Sequence, residues 1–320
     1  MLEQFTNWLV YGIFKITEGS HLGESLHFFI YDTIKILILL FFMISVVGFL
    51  RTYLPQRKIK KWLSGRRLGF GNFLASLFGA VTPFCSCSSI PIFISFLEAG
   101  IPLGVTFSFL ITSPLLNEYV AIIMWGFFGW KITLIYILSG LLIGTFSGVI
   151  LGKMGLEKHL EKDLVAKKAV VEEEIKHHTF KERIHYGIGE ATSIIKKIWM
   201  WVLVGVGIGA IIHGFVPQET IQSIISRGGI FTVPIATALG VPLYANCSAV
   251  IPIAVVLFEK GISLGTALAF MMATAALSFP EAVILRRVMK LKLIAIFFGI
   301  VALGIVVIGY LFNVLQGLIV

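Results

Sequence analysis

Two thiols one residue apart sit inside an apolar stretch of this chain. The block Thr82-Pro83-Phe84-Cys85-Ser86-Cys87-Ser88-Ser89-Ile90-Pro91 interrupts the run 68–97. A third thiol, Cys247, lies in Gly240-Val241-Pro242-Leu243-Tyr244-Ala245-Asn246-Cys247-Ser248-Ala249-Val250-Ile251-Pro252, which interrupts the run 230–258. Thiolates are soft ligands that select Cu(I), Zn(II) and, by the same logic, trivalent arsenic. Cys85 and Cys87 present two sulfurs from one short loop, and Cys247 supplies a third if the two loops meet. Ser86, Ser88, Ser89, Asn246 and Ser248 would then donate hydrogen bonds to oxygens on a ligand. The competing reading is that cysteine packs as a small apolar residue, and for Cys247 taken by itself that reading is favoured. Neither block carries His, Asp or Glu, so a zinc catalytic site is disfavoured and no resident metal or cofactor is expected.

Carboxylates at membrane depth are the second chemical signal, since they are rare and serve ion or proton pathways. Asn117 and Glu118 follow Pro114, and Glu281 follows Pro280, in corresponding parts of the two halves. They are candidates for proton coupling. Arg286 and Arg287 offer Glu281 a plainer role in an interfacial ion pair. No P-loop is present, so transport would be gradient-driven or use a separate motor.

The elements that must position these groups are membrane helices. Hydrophobic residues make up 57% of the 320 and charged residues 13%, about half the share expected of a soluble domain. Mean hydropathy is +0.94. The net charge of +9 lies in loops, which fits the positive-inside rule rather than nucleic-acid binding. No cleavable signal pattern opens the chain, and three cysteines in apolar segments make no disulfide framework.

The chain also repeats. Ile90-Pro91-Ile92, Leu97-Glu98-Ala99-Gly100-Ile101, Leu103-Gly104 and Phe109 recur as Ile251-Pro252-Ile253, Phe258-Glu259-Lys260-Gly261-Ile262, Leu264-Gly265 and Phe270. The offset is constant from Pro91/Pro252 to Phe109/Phe270. Paired interrupted segments in two halves point to a transporter site near the bilayer midplane. The expected organisation is an N-terminal interfacial segment (1–27), a first membrane repeat (28–151), a cytoplasmic linker (152–186) and a second repeat (187–320). Spans are expected at 28–50, 101–128, 132–151, 198–215, 262–285 and 293–315, with Gly140, Gly144 and Gly148 marking close helix packing.

Charge decides how the broken runs lie. If both cross the bilayer and the Arg51–Arg67 loop is inside, the linker and Lys196/Lys197 fall outside. If both are re-entrant hairpins, that loop, the linker, Lys196/Lys197 and the Arg286–Lys292 loop all fall inside. Each arm has about 15 residues, ~22 Å of helix, which reaches the midplane without spanning. The expected fold is therefore an all-α polytopic membrane protein of two inverted repeats, each with three spans and one re-entrant hairpin. The alternative is eight or more full spans with kinked helices.

The blocks at 82–91, Ser113-Pro114-Leu115-Leu116-Asn117-Glu118 and Pro242-Leu243-Tyr244-Ala245-Asn246-Cys247-Ser248 resemble the predicted permease family that includes the ArsP-type organoarsenical efflux permeases. The resemblance runs from about Phe28 to Leu315. It implies a multi-pass protein of a prokaryotic cell membrane that exports trivalent organoarsenicals, with Cys85, Cys87 and Cys247 matching the family's thiol-bearing blocks. Two other functions compete: a permease for an unrelated solute with structural cysteines, and a membrane thiol oxidoreductase. The last is disfavoured because such pairs read Cys-x-x-Cys.

Overall fold

The computed structural model describes residues 2–17, 20–52, 69–82, 86–116, 118–161, 179–215, 229–243, 247–259, 261–286 and 288–319. These are almost entirely helical. In chain order the helices are α1 (Leu2–Asn7, continued by a π turn, Trp8–Ile13), α2 (His21–Arg51), α3 (Phe70–Val81), α4 (Ser86–Glu98), α5 (Leu103–Leu115), α6 (Glu118–Lys153), α7 (Phe180–Phe215), α8 (Thr232–Gly240), α9 (Cys247–Glu259), α10 (Leu264–Ala276), α11 (Phe279–Leu285) and α12 (Leu291–Ile319). Among the described residues, three stretches are long and apolar enough to cross a membrane: 120–153, 264–285 and 291–316.

The sequence repeat reappears as helix boundaries. α4 and α9 start 161 residues apart and end 161 residues apart (Ser86 to Cys247, Glu98 to Glu259), and so do α5 and α10 (Leu103 to Leu264, Leu115 to Ala276). Gly100 and Gly261 both turn the chain ahead of α5 and α10 at positive φ, 76° and 85°. Packing repeats as well. A methyl group on Gly79 would lie 3.0 Å from the Phe109 carbonyl oxygen, and one on Gly240 3.0 Å from that of Phe270. Gly104 backs onto Gly148 and Gly152, and Gly265 onto Gly309 and Asn313. Without a hydrophobic drive between helices in lipid, such close backbone approach is what holds them together. The expected stripe Gly140, Gly144 and Gly148 serves this purpose, meeting Leu116, Thr112 and Ser108 of the segment it faces.

α5 and α10 form the centre. Every residue of α5 is buried, and so is every residue of α10 except Ala275. α3, α4 and α6 pack around α5, while α8, α9 and α12 pack around α10, and the two central helices touch each other. The first broken run turns back on itself. Phe78 of α3 and Phe96 of α4 have ring centroids 6.4 Å apart. A continuous helix would separate two residues 18 positions apart by ~27 Å. The second run breaks after α8, and both of its arms pack against α10.

Hydrogen bonds also place the loops. Beyond α6, the 3-10 turn Leu156–His159 docks on the α11–α12 loop. Lys290 N–H donates to the His159 carbonyl at 2.9 Å, and Glu161 N–H to that of Val288 at 3.0 Å. At the other end of α12, Gln316 accepts from Leu264 N–H at 2.9 Å, and the Tyr310 hydroxyl donates to the Ile230 carbonyl at 2.6 Å. α2 runs antiparallel to α7: Arg183 Nη1 donates to the Thr52 carbonyl at 3.0 Å, Gly187 abuts Ser45 and Gly207 faces the Phe29 ring.

Three expectations change. The span expected at 101–128 is two pieces, because the chain leaves helical geometry at Leu116 (φ −126°, ψ 113°) before α6 begins. α6 itself bends at Gly129 (φ 78°, ψ 169°), where the next expected span starts. The helix expected at 198–215 starts at Phe180, so Lys196 and Lys197 lie inside α7, between Gly187 and Gly207. Hydropathy placed that helix too late because it treats the lysine pair as a terminus, whereas close packing on α2 carries the helix through it.

Candidate functional site

Each half contains two breaks rather than one. The first follows α3 or α8. The second follows α5 or α10, at Leu116 and at Leu277-Ser278, again 161 residues apart (Leu116 to Leu277). A break buried in protein has to satisfy its own backbone groups, since lipid offers no partners. The second-half breaks do so through each other: Phe279 N–H donates to the Val241 carbonyl at 2.9 Å. In the first half, Leu116 N–H reaches back to Thr112 at 2.8 Å, and the Tyr136 hydroxyl of α6 donates to the Leu115 carbonyl at 2.9 Å.

The candidate residues distribute over these breaks. Ser86, Cys87 and Ser88 form the first turn of α4, and Ser89 is fully buried behind them. Cys247 and Ser248 open α9. Glu118 opens α6, and Glu281 is the third residue of α11. Cys85, Asn117 and Asn246 lie outside the described residues. The N-termini of α4 and α9 thus begin at the thiol-bearing blocks, and a helix N-terminus favours negative charge. The halves also interlock: α4 packs against α11, and α9 against α6. Each thiol-bearing helix therefore touches the helix that follows the second break of the opposite half.

Glu281 is 2% exposed. The Arg286 guanidinium goes elsewhere, to Glu161 at 3.0 Å and to the Met289 carbonyl at 3.3 Å. Of the two arginines expected near Glu281, Arg286 instead joins the start of the linker to the α11–α12 loop, and Arg287 lies outside the described residues. Buried hydroxyls line the central helices. Thr112 and Thr274 bond back to the Ser108 and Phe270 carbonyls at 2.8 and 2.9 Å, as Ser and Thr do inside membrane helices. Ser278, also 2% exposed, has a hydroxyl with no hydrogen-bond partner. Ser278 was not among the residues singled out from sequence. Extending the repeat eight residues past Phe109/Phe270 would have paired it with Asn117. Among the described residues no group of three His, Cys, Asp or Glu side chains is arranged to hold a metal.

A predicted-permease family model, ArsP_1, matches residues 21–314. The chain belongs to that family. It is 25% identical to a Streptococcus mutans protein named as a proposed subunit of a two-component membrane permease complex, over 55% of this chain and 58% of that protein. The match therefore spans little more than half of that relative's length. It is 20% identical to a UPF0718 protein of Methanocaldococcus jannaschii, over 76% of this chain and 81% of that one. It is 22% identical to the UPF0718 protein YcgR of Bacillus subtilis, over 78% and 85%. No solved structure matches. This ArsP_1 permease is thus a membrane protein, almost entirely helical among the described residues, with paired breaks in its buried centre.

Proposed function

We propose that this permease is a secondary transporter built from two inverted repeats, and that it exports a soft, thiol-reactive small molecule such as a trivalent organoarsenical. The observation carrying this reading is the pair of doubly broken halves. The hairpin α3–α4 and helix α5 open beside the end of α6 that leads to α12's first residue, whereas α8 and α10 open beside α12's last turns. α12 has 29 residues, ~43 Å of helix, more than a bilayer core. The two hairpins entering from opposite sides, with their tips at mid-depth, account for these contacts. The docking of Glu161 on the Arg286–Lys290 loop supports putting the linker on the basic, cytoplasmic side.

In this reading Cys85 and Cys87 take the two exchangeable positions of a monosubstituted arsenical. Cys247 approaches from the other tip, and Ser86, Ser88, Ser89, Asn246 and Ser248 hydrogen-bond its oxygens. No more than two sulfurs hold the ligand at once, since a transported solute has to leave. Asn117, Glu118 and Glu281 form the proton pathway. The test is uptake of a trivalent methyl or aromatic arsenical by everted vesicles, native against a Cys85→Ser, Cys87→Ser double variant. Accumulation that vanishes in the variant supports the reading. Equal accumulation returns the cysteines to packing, and no accumulation by the native protein removes the substrate.

A second membrane chain also belongs to this proposal, as the name of the Streptococcus mutans relative suggests. Lys196 is exposed midway along the part of α7 that lies on α2, in line with Ile184, Ile188, Met200 and Val204. A lysine facing lipid at that depth is costly. A partner helix with a carboxylate at mid-depth would neutralise it. Loss of co-purification of such a partner in Lys196→Met is the outcome expected.

A further inference from the structure

α2 and α7 approach closely where Gly187 has no side chain. A Cβ there would run into the Ser45 carbonyl oxygen and would lie 3.0 Å from the Phe49 nitrogen. Outside that contact the two helices leave a cleft of about 320 Å³, lined by Phe41, Phe42, Val46 and Phe49 of α2 and by Ile184 and Ile188 of α7. Ser45 also borders it, but its hydroxyl is buried, so the wall it offers is apolar. The Phe180 ring packs edge-on to Phe49, centroids 5.4 Å apart, at the end where α7 begins. An unfilled cleft of this kind forfeits the dispersion contacts of its wall atoms. In a bilayer the apolar groups at hand to fill it are lipid chains.

Charge selects which lipid. The end of the cleft at the start of α7 is basic. Lys181 is exposed. It stands seven residues before Ile188, two turns away on the same side of α7 and ~10 Å nearer the helix start. Arg183 holds the Thr52 carbonyl and hydroxyl at 3.0 and 3.3 Å. The Glu182 carboxylate is turned back on the helix start, accepting from the Thr179 N–H at 3.3 Å and from its hydroxyl at 3.4 Å. The sequence at and beyond the end of α2, 51–67, carries seven Lys and Arg and no Asp or Glu. Basic residues just beyond a membrane helix attract anionic headgroups, and basic clefts between helices bind them.

We infer that the α2–α7 cleft is a binding site for one anionic phospholipid. An acyl chain lies between Phe41/Phe42 and Ile184/Ile188, and the phosphodiester reaches Lys181. The site stands apart from the transport reading and from the face that carries Lys196. Lys196 is twelve residues past Ile184, ~120° further around α7.

The experiment is native mass spectrometry of the purified full-length chain in detergent, titrated with phosphatidylglycerol or with phosphatidylcholine of identical chains. The native protein is expected to take up one phosphatidylglycerol at least about fivefold more tightly than phosphatidylcholine, the weight of one lysine at a charged membrane surface. Lys181→Gln is expected to remove that preference, and Lys181→Arg to keep it. Ile188→Trp fills the cleft and is expected to weaken binding of both lipids. Lys181 is exposed, so its variants keep the test decisive if Ile188→Trp does not fold. Equal affinity of the native protein for the two lipids overturns the inference, as does phosphatidylglycerol binding unchanged in Lys181→Gln or in a folded Ile188→Trp. Many equal copies of bound lipid with no first tight one mean bulk association only and overturn it too. So does a dimer of this chain that excludes the lipid and is lost in Ile188→Trp, which would assign the cleft to a second copy.

Discussion

The two halves of this molecule use one backbone frame for unequal chemistry. Both bury a 13-residue central helix against close glycine contacts, and both break it at the same point of the repeat. Around that frame the side chains diverge. The first half carries two thiols in its sequence block at 82–91, one of them, Cys87, in the first turn of α4, and a tyrosine that closes its second break. The second half carries one thiol and leaves a buried hydroxyl unpartnered at its break. Packing is duplicated because helices in lipid need small residues at fixed places. Polar groups are free to differ because each break needs its own partners only once.

The sharpest way to break the comparison is to overfill the shared frame. Gly104→Leu and Gly265→Leu each force a side chain into a neighbouring backbone and should each cost about 3 kcal/mol or more. Thermal unfolding in detergent measures both. If one is tolerated and the other is not, the halves are not held by equivalent packing. Tyr136→Phe comes next. It strands a buried carbonyl, and the expected loss is about 1–3 kcal/mol, read from the same melts. A neutral result would mean the first break is no more closed than the second.

The thiols test whether the halves differ in function. Replacing Cys85 and Cys87 by Ser should lower the apparent affinity for a trivalent arsenical at least about tenfold, or ~1.4 kcal/mol. Cys247→Ser should do less, since two sulfurs suffice. Vesicle uptake at varied substrate concentration checks this, and a larger effect at Cys247 would reverse the assignment of substrate to the first half. The smallest effect is expected at Arg286. Its bridge to Glu161 joins side chains 42% and 31% exposed, so Arg286→Ala should cost less than about 1 kcal/mol and leave uptake unchanged. A marked loss of uptake would show that docking of the linker start matters to the transport cycle.

Membrane class and the 161-residue repeat of helix boundaries were legible in the sequence. Apolar length is a local property, and the repeat is written in identical residue pairs such as Pro91/Pro252 and Phe109/Phe270. The glycine stripe 140–148 was legible for the same reason, as spacing along one helix predicts which residues face a neighbour. Other features depend on neighbours far along the chain, and only tertiary structure decided them. Nothing local marks the stop of α5 at Leu115, where the helix has run through Pro114 and Tyr136, 21 residues on, takes the freed carbonyl. Lys196 and Lys197 looked like the flank of a span, and packing on α2 placed them inside α7. Ser278 gave no signal by type, since a lone serine in an apolar run is ordinary. It became a candidate only once burial removed water and no protein partner replaced it. A sequence records which groups a segment carries and at what period, whereas the satisfaction of each polar group is settled by what the fold brings beside it.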